Sequence, residues 1–482
     1  MRRYHILITC FDVSADHHAA RLIHYLQHIW QDRVVWSIMG GEETLKLAQK
    51  YNHVHVLEHS ATNSAIGLSE SVLEVFRSPL LSTSVRRFLK HGYHKNARTD
   101  WGKVDLFLPF DGQGRNLSLG KFAYQLKIRT GYFFPPIVFI WGKWNIKKMR
   151  YFNPILCVFK PNWMLYRDHH VDAATFVGHP FAYYLLANDT NALAQKHSLP
   201  LTEASPSSHT SSPLHHLPQH QAPAKNNHPN QNRSIEAFNH LIAQYNIEER
   251  TEQFKKKLRI RANEWVISLF PGSRRQEIRK VTPILLKTLQ TLQNTYPHGV
   301  ELPSHTGKPK RYRLRFILAL SHKQFLRPLL KLRMQANIDK RTLPIVYGAY
   351  EETLKVSRMA LTCSGTVTFK ASFLGVPHVI LYNISWLSYL VAKIVVKTPY
   401  IGMLNILHNR LLVRELINHD LSVKNIIAEI TPYLEDENYF KEQSRKLITS
   451  AKMVCPPTSI TSHPFKNIET ALAKVISSSS SS

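Results

Sequence analysis

The stretch Ser268-Leu269-Phe270-Pro271-Gly272-Ser273-Arg274-Arg275-Gln276-Glu277-Ile278 decides the reading of this chain. Residues 265–270 form an apolar run of strand length. Pro271-Gly272-Ser273 is a tight turn, and after Glu277 apolar residues recur at helical spacing, at Ile278, Val281, Ile284, Leu285 and Leu289. A strand that breaks at Gly-Ser into a helix leaves unpaired backbone N–H groups at the helix start, where an anion can sit. Arg274 and Arg275 add fixed positive charge there. An ordinary strand–loop–helix with solvated arginines has the same pattern, so this segment alone leaves both readings open.

A second stretch narrows them. Residues 356–362 are an apolar run, followed by Cys363-Ser364-Gly365-Thr366 and a helix-like segment through Lys370 to Leu374. Gly375-Val376-Pro377 closes it, and 378–382 reads as the next strand. Again a small-residue turn offers N–H and hydroxyl donors at the carboxyl end of a strand, where open α/β sheets bind ligands. Two such turns in one βα unit describe a pocket for a phosphorylated ligand. Neither is a P-loop or a GxGxxG fingerprint, which disfavours a nucleoside triphosphate or a dinucleotide.

Working outward, short apolar runs at 4–10, 34–39, 104–110, 137–141, 155–159 and 174–177 read as strands, with helical patterns between several of them, as at 15–30 and 71–90. Such alternation implies a parallel sheet. Residues 199–233 are rich in Ser, Pro, His, Gln and Asn and poor in apolar side chains, so they read as a disordered insert. Alternation resumes over 264–440, and helices are expected near 437–453 and 466–476 before a serine tail. The boundaries that follow are a first α/β domain at 1–185, a linker at 186–255, a second α/β domain at 256–435, terminal helices at 436–476 and a disordered tail at 477–482.

With 482 residues the chain is long enough for two domains with separate cores, and its 44% hydrophobic and 20% charged content is that of a globular protein. The formal net charge of +29 points to an acidic partner. The basic residues are spread along the chain instead of gathered in one arm, and no nucleic acid is expected. Cys10, Cys157, Cys363 and Cys455 show no CxxC spacing, so neither a disulfide framework nor a zinc motif is legible, and a reducing cytosol is the expected compartment. The opening apolar run is too short for a signal peptide. Residues 379–396 are mostly apolar but interrupted by Asn383 and Lys393, and read as a strand followed by a buried or lipid-touching helix over 385–396.

The order of several motifs resembles one family, bacterial lipid-A-disaccharide synthase. They are Phe176-Val177-Gly178-His179-Pro180, Phe270-Pro271-Gly272-Ser273-Arg274 with Glu277, Ser364-Gly365-Thr366, and Val396-Lys397-Thr398 with Tyr400, Asn405, Arg410 and Glu415. Ile66-Gly67-Leu68 and residues 104–111 fit as well. The resemblance implies a GT-B fold, two Rossmann-like domains facing a cleft, with the C-terminal helices returning to the first domain. It implies an inverting glycosyltransferase that condenses UDP-2,3-diacylglucosamine with 2,3-diacylglucosamine 1-phosphate, giving lipid A disaccharide 1-phosphate and UDP. The implied partners are these acylated sugars and an anionic membrane surface, with the protein peripheral on the inner face of a Gram-negative-type cytoplasmic membrane. No cofactor or metal is implied.

That chemistry needs a base at the attacking hydroxyl and positive charge on the departing diphosphate. Asp111, at the end of a strand, matches the family aspartate, with Asp16 and Asp12 as the other carboxylates of the catalytic set. Ser14, Arg274, Glu277, Ser364, Gly365, Thr366, Asn405, Arg410 and Glu415 are the expected binding residues. The match is partial: Phe11 and Ala15 replace two family glycines, Leu411 replaces a glutamate, and Lys370 stands where a family glutamate holds ribose hydroxyls, which a lysine cannot accept. A catalytically altered or inactive paralogue that binds acylated sugar or lipid, or another UDP-sugar transferase or epimerase, is the alternative.

Overall fold

The computed structural model describes residues 3–59, 79–92, 102–141, 143–182, 229–244, 246–303, 308–363, 365–383, 398–454 and 463–477. The central strands of the first unit are β1 (Tyr4–Cys10), β2 (Val34–Gly40) and β4 (Leu106–Phe110). They read as unbroken apolar runs because both faces are covered by helices, and nearly every residue in them is buried. With β3 (Val54–His59), β5 (Arg129–Thr130), β6 (Tyr132–Phe133), β7 (Ile155–Cys157) and β8 (Ala174–Phe176) they make an eight-stranded sheet of order β3-β2-β1-β4-β6-β7-β8, with β5 paired to β4. Every pairing in it is parallel. The order reverses at β1 and β4. Cys10 lies opposite Phe110, so the residues that follow these strands emerge side by side.

The second sheet is built from β9 (Glu264–Phe270), β10 (Val300–Leu302), β11 (Lys310–Leu320), β12 (Ile345–Tyr347), β13 (Ser357–Cys363), β14 (His378–Tyr382) and β15 (Glu415–Ile417). Its order is β10-β11-β9-β13-β14-β15, with β12 paired to β11. Here the reversal falls at β9 and β13, and Phe270 lies opposite Thr362. The two turns that opened the sequence reading therefore leave neighbouring strands. Two parallel α/β units with these switch points are the GT-B arrangement expected from the sequence.

Three sequence expectations change. Residues 137–141 are not a strand: Val138–Trp141 is a short helix, and Tyr132–Phe133 takes the place in the sheet. Pro135 and Pro136 follow Phe134, whose φ of 56° turns the chain away, and Asn162 then holds the exit. Its amide donates to the Pro136 carbonyl at 3.0 Å and accepts from Val138 N at 2.9 Å. Residues 229–233, expected in the disordered insert, begin the helix Pro229–Gln244, whose Ser234, Ala237, Phe238 and Leu241 are buried at helical spacing. The helix Glu437–Met453 lies on the second unit, where Ser444 donates to the Gly375 carbonyl at 2.6 Å. The return to the first unit is made by Pro464–Ser477: Asn467 donates to the Val177 carbonyl at 3.1 Å and Arg129 to that of Val475 at 2.9 Å. Residues 199–228, the motif at Ile66-Gly67-Leu68, the 385–396 segment and the serines after 477 lie outside the described residues. Among the described residues no helix is long and apolar enough to cross a membrane.

One buried carboxylate joins the units. Glu351, in the helix Tyr350–Lys355, accepts from Arg21 of helix α1 (Val13–Trp30) at 2.8 Å and from Lys370 at 2.8 Å. Its other oxygen accepts from Arg250 at 3.2 Å, and Arg250 also donates to Glu352 at 2.7 Å. Beside this cluster, His179 and Phe181 of the first unit pack on Phe369 and Phe373 of the second. Burial pushes the Glu351 carboxyl up, but Lys370, Arg21 and Arg250 outweigh it and hold its pKa well below the usual value.

Glu351→Gln strips the shared counter-charge from three cations and is expected to cost about 3–5 kcal/mol of stability, read by denaturant unfolding at neutral pH. A carboxyl whose pKa is depressed on folding stabilises above its unfolded value and loses that contribution as the pH falls through its folded one. Stability of the parent should therefore fall below about pH 4.5 more steeply than that of the variant, in unfolding curves taken across the acid range.

Candidate functional site

The first edge of the site is set by β1 and β4. After β4 the chain turns at two successive left-handed residues, Asp111 (φ 49°) and Gly112 (φ 62°). A side chain at 112 would meet Asn116 at 3.0 Å and Phe11 at 3.2 Å, so the turn needs its glycine. Asn116 pins it. Its amide donates to the Asp111 carbonyl at 2.6 Å, and its oxygen is held by the Thr9 hydroxyl at 2.8 Å. Tyr132 donates to the same Asp111 carbonyl at 2.8 Å. With the backbone fixed from two sides, the Asp111 carboxylate accepts the Gly112 amide at 2.8 Å. Burial, with the Asp12 carboxylate beside it, raises the Asp111 pKa to about 7. A carboxylate poised there is matched to general base catalysis.

Asp12 caps α1, accepting the Ala15 amide at 2.7 Å. Burial raises its pKa, while the charge of Arg274 from the second unit lowers it. Ser14 sits half-buried in the first turn of α1. Asp16 is placed differently. It accepts from the amides of Gly41 at 2.7 Å and Glu43 at 2.9 Å and from the Thr44 hydroxyl at 2.6 Å, so its carboxylate anchors helix α2 (Glu42–Lys50) to α1. Phe11 and Ala15, which stand in place of glycines, are 7% and 2% exposed. Phe11 packs in a cluster with Met39, Phe107 and Leu119, and the Arg115 guanidinium lies 5.3 Å from its ring.

The second edge is the turn after β9. Gly272 has φ 109°, and a side chain there would lie 2.3 Å from the Glu277 carboxylate. Glu277 accepts the amides of Ser273 at 2.9 Å and Arg274 at 3.2 Å, and pairs with the Arg274 guanidinium at 3.2 Å. Two amides of the turn, those of Ser273 and Arg274, are therefore taken by Glu277, which shapes the turn from within. The side chain of Arg274 is 31% exposed. Its charge acts on Asp12 of the first unit, on Cys363 at the end of β13 and on Tyr382 at the end of β14. Next to it Gly365, at φ 146°, leads into Thr366, the first residue of the helix Thr366–Phe373. Ser364 lies outside the described residues.

The last block divides. Asn405 and Glu415 come together at 2.7 Å in a satisfied network, in which Asn405 accepts the amides of Leu412 at 2.8 Å and Val413 at 2.9 Å. Glu415 accepts those of Ile401 at 2.9 Å and Gly402 at 2.8 Å. This network holds the loop that precedes β15. Arg410 joins it only through its backbone amide, which donates to the Asn405 carbonyl at 3.2 Å; its side chain is exposed and lines a groove with His408, Glu442 and Lys446. Leu411 is half-exposed. Lys370 is buried, its ammonium bonded to Glu351 at the interface. Sequence reasoning missed Asn116, Tyr132 and Glu351. The first two are ordinary helix and strand residues, and Glu351 meets Arg21 across a separation that no local pattern reports.

Comparison with known proteins bears on the family and the fold. A family model described as lipid-A-disaccharide synthetase matches residues 6–247 and 238–455. The lipid-A-disaccharide synthase of Sulfurihydrogenibium sp. (strain YO3AOP1) is 24% identical over 447 residues, covering 92% of this chain and 92% of that one. That of Francisella tularensis subsp. novicida (strain U112) is 24% identical over 446 residues, covering 91% and 93%. Among solved structures, the UDP-GlcNAc 2-epimerase from Neisseria meningitidis bound to UDP-GlcNAc superposes with a TM-score of 0.51 at 12% identity, covering 94% of this chain and 98% of that one. At that identity the likeness is one of fold.

The coupling of the two first-unit carboxylates is measurable. Since the Asp12 charge helps to raise Asp111, Asp12→Asn should lower the Asp111 pKa from about 7 toward the ordinary carboxylate range. Carboxyl-detected NMR of the labelled protein across the titration reads the shift, and an unmoved midpoint would leave burial as its sole cause.

Proposed function

The chain belongs to the lipid-A-disaccharide synthetase family, and from that membership we propose that it joins a UDP-linked 2,3-diacylglucosamine to 2,3-diacylglucosamine 1-phosphate with inversion. The observation that carries this reading is the opposition across the cleft of Asp111 and Asp12 on one side and Arg274 on the other, close enough for the charge of Arg274 to act on Asp12. Asp111 takes the proton from the acceptor hydroxyl as it attacks the anomeric carbon. Arg274 offers its planar fork of donors to the diphosphate oxygens as UDP departs, with the Gly365-Thr366 turn beside it. Asp12 and the first turn of α1, with Ser14, line the sugar side. Asp16, Glu277, Asn405 and Glu415 hold these segments in place.

The acceptor and donor carry acyl chains, so the enzyme works at a membrane surface, on the cytoplasmic side. The excess of 62 Lys and Arg over 33 Asp and Glu suits an anionic surface, each basic residue near it contributing about 1 kcal/mol. A second reading, an acylated-sugar binder without transferase activity, is favoured by Lys370 alone. Its ammonium is bound to Glu351 and offers no acceptor for ribose hydroxyls.

Calorimetry with UDP separates the two. The transferase binds UDP, and Arg274→Ala weakens that binding roughly ten- to a hundredfold through loss of a charge-assisted contact. A parent protein that ignores millimolar UDP would establish the second reading. With acylated donor and acceptor, Asp111→Asn should slow transfer by about 10²–10⁴-fold while UDP affinity holds. Undiminished transfer would place the base elsewhere.

A further inference from the structure

The cysteines show no zinc motif, yet the fold assembles a set of histidines away from the cleft residues. His24 and His28 lie one turn apart on α1, and His240 meets them from the helix Pro229–Gln244. His24 Nε2 is 3.1 Å from His240 Nδ1, and one ring nitrogen of each histidine lies within 4.8 Å of the others. Tetrahedral zinc at a Zn–N distance of about 2.0–2.1 Å spaces its ligand nitrogens about 3.3–3.4 Å apart, so the closest pair is nearly at that spacing and small ring rotations bring in the third.

The outer contacts fix which nitrogen is available. His28 Nδ1 lies 2.9 Å from the His24 carbonyl, which can only accept, so the proton is on Nδ1 and the Nε2 lone pair is free to bind. His24 Nδ1 lies 2.7 Å from the Tyr51 hydroxyl; with Nδ1–H donating to that oxygen, Nε2 faces His240 as a lone pair. Oxygen partners on the far nitrogen are the second-shell contacts that orient metal-bound imidazoles. The exposed edge at His240 leaves a fourth position open to water.

We propose that His24, His28 and His240 bind one divalent transition metal of the zinc class. Neutral imidazoles select such a metal over magnesium or calcium, which require oxygen ligands. The ion clamps the helix that follows the 186–228 segment onto α1, and its role is structural.

The test uses the full-length protein stripped with a chelator. Zinc is titrated in competition with a chromophoric chelator, and cobalt is added separately for its absorption. Parent protein should bind one tight equivalent, show the visible bands of tetrahedral cobalt and melt several degrees higher with zinc. His28→Ala and His240→Ala replace partly exposed residues, so their metal-free melting temperatures should match the parent. Each should bind zinc at least tenfold more weakly and lose the thermal shift. His240→Cys, which substitutes a thiolate, should retain both. Equal zinc affinity and equal thermal shift in the alanine variants would place the metal elsewhere, on histidines such as His215 or His216, and overturn the proposal. So would a parent protein that takes up no zinc at micromolar concentration.

Discussion

The arrangement of the site depends on Glu351. Arg21 and Lys370 converge on one of its oxygens and Arg250 on the other, so α1, the helix Ile247–Leu258 and the helix Thr366–Phe373 meet at one charge. Two of those helices begin at the ligand-facing ends of β1 and β13. Asp12 caps the first of these helices and Gly365 precedes the other, so the cluster ties those two turns to each other. A buried ion cluster pays for its desolvation through geometry, and here the geometry is the seam between the two units. This also gives Lys370 a physical place: its partner is in the interface, not in a ligand.

Each edge of the cleft is further shaped by a carboxylate turned inward. Glu277 fills the amides of its own turn and so presents Arg274 outward, while Asp16 fills those of α2 and holds the end of β2 beside α1. Neither carboxylate has to leave its partners for the first unit to offer Asp111 and the second to offer a guanidinium. Structural acids behind reactive groups are a common way to fix geometry without lending a charge to the ligand.

The fold was legible where local pattern and tertiary role agree. Buried parallel strands are continuous apolar runs, so β1, β9, β13 and β14 stand out, and the turns after β9 and β13 announce themselves by glycine. The 137–141 run was misleading because Val, Phe, Ile and Trp suit a strand or a buried turn equally, and only the Asn162 contacts decide. The Asp111 turn was visible as a strand end, but its pinning by Asn116 and Tyr132 was not, since hydrogen bonds between distant segments leave no spacing in the sequence. Glutamate at 277 read as a ligand group for the same reason: the sequence shows an acid beside an arginine, and only coordinates show which amides it faces.

The first unit draws on three distant parts of the chain. Phe238 from the middle stacks at 3.7 Å on His463 near the end, and His463 in turn packs edge-on against Tyr25 of α1. Tyr25 and Leu26 of α1 therefore share one apolar cluster with Phe238 and with Phe465, Ile468 and Leu472 of the helix Pro464–Ser477. The strands and flanking helices of the second unit lie between these parts in the chain. The core of the first unit is thus closed by contacts of very large sequence separation, which carry a high loop-closure cost and form slowly as a class.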